Sequence, residues 1–275
     1  MTRMKKILIK MFSFTTCVAT LAFSACKGKE ANRWGSIQEE QSSVSNAPSE
    51  EVSDSTDSDF VTEEIEYALS DDGTYAIVMG YNGTEKKIYI DSSYDGVPVT
   101  EIADYAFYGY NEMREVFIPK SVHKIGFSAF DSDAPLSKMT LPFIGETKDG
   151  TENVHFGYIF GANDFTENKN FVPKTLQEVW ISDCTYIGDY AFRECENITH
   201  IVLPDTLTTV GSGTFHTCSS LLKIVIPRSV TSFGNYSFAY CYNAEICCEV
   251  EKKPSGWDIM WDYGYPVTWG YTGEK

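Results

Sequence analysis

The sequence lacks the short motifs that mark most enzymes and metal sites. Its eight cysteines form no CxxC pair, and no HExxH, P-loop or GxSxG pattern occurs. The histidines His123, His155, His200 and His216 stand at no spacing from a Cys or Ser that predicts a catalytic dyad. These absences predict a protein with no catalytic residues, no metal site and no cofactor.

Positive charge is also scarce. The 275 residues include 22 Lys and Arg against 39 Asp and Glu, which gives a net charge of −17. Nucleic-acid binding normally requires a basic surface, so we predict no nucleic-acid partner. Hydrophobic residues make up 43% of the chain, which is enough to bury a sizeable core.

Residues 1–25 have the pattern of a secretory signal peptide, because four cations within the first ten residues precede an apolar stretch that ends in small residues. The stretch is shorter than the roughly 18 residues that span a bilayer, so we predict no transmembrane helix. The run Leu-Ala-Phe-Ser-Ala-Cys, ending at Cys26, resembles a bacterial lipobox. That resemblance implies lipidation of Cys26 and anchoring to the outer face of the bacterial cell membrane. Ordinary cleavage, with Cys26 left as a thiol, is the alternative.

Residues 26–59 are rich in Ser and acidic residues and poor in apolar ones. Such a composition cannot bury enough surface to offset chain entropy, so it predicts a solvated tether. An acidic tail that binds calcium or a partner is the alternative interpretation.

A phrase that ends in Phe recurs every 23 residues. Its Phe residues are Phe107, Phe130, Phe192, Phe215 and Phe238. The longer interval between Phe130 and Phe192 indicates one enlarged coil, with an insertion at 143–171. After each Phe comes a short alternating stretch that ends at or near Pro, which predicts one short strand per coil. We therefore expect a solenoid over 101–249 with a parallel β-sheet, short helical or irregular turns, and a Phe ladder in the core.

The ends of the repeat array differ from its middle. Residues 60–100 alternate around Asp-Gly and Asn-Gly turns, which predicts a β-hairpin cap. Residues 250–275 are rich in aromatics, among them Trp257, Trp261 and Trp269. We predict that they close the last coil. In the alternative, these three Trp stack on sugar rings and make the chain a glycan-binding or cell-wall-binding module.

Three cysteines, Cys195, Cys218 and Cys241, recur at the 23-residue period. Their side chains point in parallel, which favours buried thiols, although an even number of cysteines beyond Cys26 leaves disulfides open. Counting one period from Ile224 predicts that Cys247 faces inward and that Cys248 faces outward and is reachable.

The repeat phrase Ile-Gly-x-x-Ala-Phe-x-x-Cys-x-x-Ile/Leu-x-x-Ile-x-Ile/Leu-Pro resembles the BspA-like leucine-rich-repeat family of bacterial surface proteins. The likeness covers residues 60–275. It implies a leucine-rich-repeat solenoid and a non-catalytic surface lipoprotein that takes part in adhesion or protein–protein interaction. The implied partner is an extracellular protein, such as host matrix or a component of another cell, and the only membrane contact would be the lipid anchor.

Outward residues of the strands would form the binding surface of such a solenoid. Phe117 and Trp180 are the predicted anchors, because aromatic side chains dominate binding hot spots. The other predicted binding residues of this surface are Glu115, Glu178, His200, Val202, Lys223 and Val225. Alternatively, Phe117 and Trp180 cover the sheet or pack under the inserted loop 143–171.

Overall fold

The computed structural model describes residues 64–274. This part contains sixteen short strands and three short helices. The strands are β1 Ile65–Leu69, β2 Ala76–Tyr81, β3 Lys87–Tyr89, β4 Ser93–Tyr94, β5 Val97–Ile102, β6 Glu115–Phe117, β7 Lys124–Ile125, β8 Lys138–Leu141, β9 Glu178–Ile181, β10 Tyr186–Ile187, β11 His200–Val202, β12 Thr209–Val210, β13 Lys223–Ile226, β14 Ser232–Phe233, β15 Glu245–Cys248 and β16 Val267–Trp269. The helices are two 3-10 turns, Phe156–Phe160 and Phe165–Glu167, and α1 Asn168–Phe171.

Eight strands form one parallel sheet in the order β16-β15-β13-β11-β9-β8-β6-β3. Each coil of the chain contributes one strand, and neighbouring coils pair in register, as Val179 does with Met139 and with Ile201. The second residue of each of these strands except β16 is buried in the core. The predicted solenoid with a parallel sheet of short strands is therefore confirmed.

A second set of strands pairs on another edge of the coil. There β2 pairs with β5 and β5 with β7, and further along β10, β12 and β14 form a three-stranded parallel sheet. The glycine that follows each of these later strands is required by close stacking. A Cβ on Gly234 would lie 2.3 Å from the Ser212 nitrogen, and one on Gly211 would lie 2.5 Å from the Asp189 nitrogen. The Ile-Gly part of the repeat phrase thus lets successive coils approach each other.

The Phe column packs as a continuous aromatic ladder, as predicted. Ring centroids of Phe107 and Phe130 are 5.2 Å apart, and those of Phe215 and Phe238 are also 5.2 Å apart. Such spacing gives each ring a favourable offset or tilted contact with the next. All five repeat Phe residues are at most 1% exposed, so the ladder forms the centre of the core.

The insertion supplies the rung that lies between Phe130 and Phe192. Phe160 lies 6.2 Å from Phe130, and Phe156 lies 5.0 Å from Phe192, centroid to centroid. Fully buried Asn168 holds this segment in place. Its side-chain oxygen accepts from the Gly157 N–H at 2.9 Å, and its amide group donates to two carbonyls of the next coil, at 3.1 and 3.0 Å.

The N-terminal cap differs in one respect from the prediction. Strands β1 and β2 form the expected antiparallel hairpin, but β3 pairs in parallel with β6 and is the first strand of the solenoid sheet. The Asn-Gly turn before β3 therefore leads the chain into the first coil instead of closing a second hairpin.

Aromatic residues close the C-terminal end, as predicted. Trp257 and Trp261 are only 3% and 0% exposed and continue the ladder beyond Phe238, whose ring lies 5.8 Å from that of Trp261. The indole of Trp257 donates a hydrogen bond to the Val230 carbonyl at 3.1 Å.

None of the helices within 64–274 is long and apolar enough to cross a membrane. The predicted signal peptide, Cys26 and the tether lie outside the described residues.

Candidate binding face

The outward side of the eight-stranded sheet, called the front face here, carries two columns of side chains. Strand register fixes both columns, because residues that pair across the sheet point to the same side. The first column contains Lys87, Glu115, Lys138, Glu178, His200, Lys223 and Glu245. The second contains Tyr89, Phe117, Thr140, Trp180, Val202, Val225, Cys247 and Thr268.

The first column alternates in charge. Lys87 lies 2.8 Å from Glu115, and Lys138 lies 3.4 Å from Glu178. The hydrogen bond that the Lys87 ammonium donates to the Glu115 carboxylate raises the pKa of Lys87. Both pairs reach solvent, so they contribute little to stability. Their effect is to leave this face locally neutral on a strongly acidic chain.

Trp180 stands at the centre of the second column and is 38% exposed. The Lys138 ammonium lies 4.1 Å from the ring centroid, which is cation–π geometry. This contact and the pairing with Glu178 position the Lys138 side chain beside the exposed indole. Trp180 therefore presents a large aromatic surface in a defined orientation.

A second aromatic pair lies towards the N-terminal end of the face. The rings of Tyr89 and Phe117 are 6.3 Å apart and line a shallow cavity of about 140 Å³ together with Lys87, Glu115 and Thr140. The insertion packs in the aromatic ladder, on the turn side of the coil, so the alternative in which the inserted loop covers Phe117 and Trp180 is wrong.

The C-terminal end of the face is covered. The Tyr271 ring lies 4.4 Å from the Lys223 ammonium, and its hydroxyl is hydrogen-bonded to that ammonium. Tyr271 follows β16, Lys223 is in β13, and β15 lies between these two strands. The Tyr271 side chain therefore passes over β15 to reach Lys223. Val225 is only 4% exposed, so the prediction of Val225 as a surface binding residue is wrong.

The orientation predicted for Cys247 and Cys248 is also wrong. Ile224 pairs with Ile246, which places Cys247 in the outward column and Cys248 in the core. The reason is a coil of 22 residues between Lys223 and Glu245, one shorter than the repeat. Neither thiol is reachable, because both side chains are fully buried.

All six cysteines of residues 64–274 are free and buried. The Cys218 thiol donates to the Phe192 carbonyl at 3.1 Å, and the Cys241 thiol donates to the Phe215 carbonyl at 2.9 Å. Burial raises the pKa of Cys241 to about 12. A thiol held in this way satisfies a backbone carbonyl and is a poor nucleophile, since the thiolate is the reactive form.

The histidines do not come together. His155 is buried with its Nε2 atom 3.1 Å from the Ala162 carbonyl, and burial lowers its pKa. His200 lies on the front face, and His216 contacts Tyr240 on the turn side. Within 64–274, no group of His, Cys, Asp or Glu side chains has the arrangement of a metal site.

The tryptophans proposed for glycan binding are packed against each other. Trp269 is half-buried, and its ring lies 6.0 and 6.1 Å from those of Trp257 and Trp261. Stacking on sugar requires an accessible ring face, which the buried Trp257 and Trp261 do not offer. The glycan-binding prediction is therefore wrong for these two residues.

Sequence reasoning missed two contributors to the front face. The sequence prediction places Lys87 and Tyr89 in the N-terminal cap, because the stretch before the first Phe has no repeat phrase of its own. Lys87 and Tyr89 lie 28 residues before their partners Glu115 and Phe117. Counting back by the 23-residue period therefore does not reach them.

Comparison with protein families gives the same architecture. The sequence pattern of the BspA type leucine rich repeat region matches residues 86–150 and 165–248, in six copies. The chain belongs to the BspA-type leucine-rich-repeat family. None of the curated proteins matches it. The family match begins at β3, in agreement with the place of that strand in the solenoid sheet, and resumes beyond the first half of the insertion.

Solved leucine-rich-repeat structures are similar to this chain. A leucine-rich-repeat protein of T. pallidum is 24% identical, with 77% of this chain and 82% of that chain covered and a TM-score of 0.39. One from Bacteroides ovatus is 24% identical over 72% of this chain and 57% of that chain, with a TM-score of 0.39. A leucine-rich cell surface protein of Faecalibacterium prausnitzii is 22% identical over 71% and 56%, with a TM-score of 0.38. The chain thus spans little more than half the length of the last two.

Proposed function

We propose that the chain is a non-catalytic cell-surface lipoprotein that binds an extracellular protein through its front face. Trp180 carries this proposal, because it is a large aromatic side chain at the centre of a locally neutral face and is 38% exposed. Aromatic anchors surrounded by polar side chains are typical of binding hot spots.

The open part of the front face extends from β3 to β11. It offers the Tyr89–Phe117 pair at one end and Trp180 with Val202 at the other, joined by the charged column. A partner would bury the rings while the alternating charges fix its register, since charge pairs at an interface contribute more to specificity than to affinity. Val225 lies outside this area because it is buried.

The surface location rests on the sequence and on the family. The signal-peptide pattern of residues 1–25 and the lipobox at Cys26 support export and lipid anchoring. The acidic segment 26–59 would hold the solenoid away from the membrane, because chains of this composition remain extended and solvated.

Anchoring is tested by expressing the full-length chain in a bacterial host with a labelled fatty acid. We expect label in the wild-type chain and recovery in the membrane fraction, and loss of both in Cys26→Ser. An unlabelled wild-type chain released to the medium would contradict the anchor and leave the binding proposal standing.

Binding is tested with the purified full-length chain on arrayed matrix proteins, mucins and polysaccharides. We expect binding to a protein and its loss in Trp180→Ala. Thr268→Ala is the matched control, because Thr268 lies in the same outward column at the far end of the sheet. Binding to polysaccharide alone, or equal loss in both variants, would contradict the proposal.

A further inference from the structure

Five tyrosines, three exposed and two half-buried, form a cluster on the turn side of the last coils, away from the front face. We call them the tyrosine cluster: Tyr236, Tyr240, Tyr242, Tyr263 and Tyr265. Ring centroids of Tyr240 and Tyr263 are 5.6 Å apart, and Tyr263 lies 6.1 Å from Tyr236. Tyr236, Tyr240 and Tyr242 are 46%, 42% and 69% exposed, so their rings contact each other yet remain open to solvent.

Backbone conformation does not explain why tyrosine stands at these positions. Tyr236, Tyr240 and Tyr263 have φ angles of 53°, 63° and 58°, in the left-handed region that bulky residues rarely adopt. The equivalent position one coil before Tyr236 is Gly213, which adopts this conformation without a steric penalty. The same left-handed conformation recurs at Tyr105, Ser128 and Tyr190, so it belongs to the repeat and leaves the choice of side chain open in each coil.

An earlier coil shows what such a tyrosine can contact. Tyr190 occupies the same repeat position as Tyr236, two periods before it, and stacks on Phe165 at 4.8 Å. The guanidinium of Arg193 lies 5.9 Å from the Tyr190 ring and 5.5 Å from the Phe165 ring. The chain's own arginine thus provides the cation for the aromatic pair in that coil.

The tyrosine cluster has no such cation of its own. The position equivalent to Arg193 is Ala239, and no lysine or arginine within 64–274 lies over these five rings. The Asp262 carboxylate, next to Tyr263 in the sequence, accepts the backbone N–H of Gly264 at 3.0 Å. A chain of net charge −17 would further attract a cationic ligand.

We infer that the tyrosine cluster binds an arginine side chain of a partner protein. The electron-rich ring faces would contact the guanidinium, and Asp262 would add a nearby negative charge. This site lies on the turn side of the coil and is independent of the proposed front-face function. The chain would then engage two partner surfaces at once.

Calorimetric titration of the purified full-length chain tests this inference. The probe is a nine-residue peptide of alternating Gly and Arg, and the comparison peptide carries neutral citrulline in place of each Arg. We expect the Arg peptide to bind and the citrulline peptide to bind at least about tenfold more weakly, since citrulline keeps the shape and loses the charge.

Variants separate the rings from the overall charge. Tyr240→Leu with Tyr263→Leu keeps the net charge and much of the apolar area, and should weaken Arg-peptide binding about five- to tenfold. The matching Tyr→Phe pair keeps the π faces and should bind like the wild type. Tyr108→Leu, at a tyrosine that is 62% exposed outside the cluster, should leave binding unchanged.

Circular dichroism establishes that each variant is folded. If the double Leu variant does not fold, Tyr242→Leu replaces it, because Tyr242 has no strained backbone angle. Equal affinity for the citrulline peptide, or undiminished binding by the folded Leu variant, would overturn the inference. So would binding of a neutral hexasaccharide in place of the Arg peptide, which would make the cluster a sugar site.

Discussion

The aromatic ladder and the front face are built by the same coils, but they differ in how much the residue type varies from coil to coil. Inside, the repeat places Phe at 107, 130, 192, 215 and 238. Outside, the equivalent column reads Phe117, Thr140, Trp180, Val202 and Val225. The ladder must stack identically in every coil, whereas the face is free to differ. The constant column therefore holds the fold, and the variable column is where binding specificity can reside.

The largest effect is expected from removing a rung. Phe215→Ala leaves a cavity in a ring stack that is fully buried, and should lower the free energy of unfolding by about 3–5 kcal/mol. Trp180→Ala removes a larger side chain from the exposed column and should cost less than about 1 kcal/mol. Urea unfolding of both variants measures the difference. An equal decrease in the free energy of unfolding for both variants would contradict the claim that the ladder stabilises the fold and the front face does not.

A somewhat smaller loss is expected at the insertion. Asn168→Ala leaves the Gly157 N–H and two carbonyls of the next coil without their partner, and should cost about 3 kcal/mol. Asn243→Ala is the matched control, because Asn243 is exposed and donates a single bond, to the Ser219 carbonyl. Urea unfolding that shows the same cost for both would mean that the insertion is not needed to complete the ladder.

Alkaline pH should weaken the core before it affects the face. Burial raises the pKa of Cys241 from 9.0 to about 12, so the folded state keeps its thiol proton more tightly than the unfolded state. Its contribution is fully present below pH 9 and is lost as the pH rises towards 12. By pH 10 the loss should be on the order of 1 kcal/mol for this thiol.

Thermal unfolding of the wild type and of Cys241→Ala at pH 8 and pH 10 measures this contribution. The variant should lose less stability than the wild type over that interval. An identical pH dependence in the two proteins would show that the Cys241 thiol has the same pKa in the folded and unfolded states and is not buried in the core.

The smallest effect is expected on the front face. The contact between Lys138 and Trp180 should give a coupling energy of about 0.5–1 kcal/mol in a double-mutant cycle of Lys138→Met and Trp180→Leu. A coupling of several kcal/mol would mean that Trp180 is part of the folding core and not a free binding residue.

The 23-residue period of the sequence is sufficient to predict the structural features that recur in every coil. The strands and the Phe ladder follow from counting, because stacked coils must align their apolar residues. The outward position of Trp180 follows instead from alternation within its strand, because the residue 23 positions before Val202 is the buried Val179. Counting failed where a coil departs from the period. The 22-residue coil before Glu245 reverses the orientations predicted for Cys247 and Cys248. The 28-residue spacing from Lys87 to Glu115 conceals that β3, predicted as part of the cap, belongs to the solenoid sheet.

Other features were beyond counting because they depend on contacts between distant residues. The rung formed by Phe156 and Phe160 lies inside the insertion, where no repeat phrase marks it. The burial of Val225 at the end of the face where Tyr271 reaches Lys223 is a three-dimensional feature that leaves no sequence pattern. The tyrosine cluster is likewise formed by residues of two successive coils.

Hydroxyl-radical footprinting of the full-length chain, alone and with the protein that binds it on the array, tests most directly whether the variable column is the binding surface. The method reads oxidation of exposed aromatic rings on both sides of the solenoid. We predict protection of Trp180, Phe117 and Tyr89 by the bound protein, with Tyr105 and Tyr108 oxidised as before. Unchanged oxidation of Trp180 with protection confined to the turn side would contradict the account.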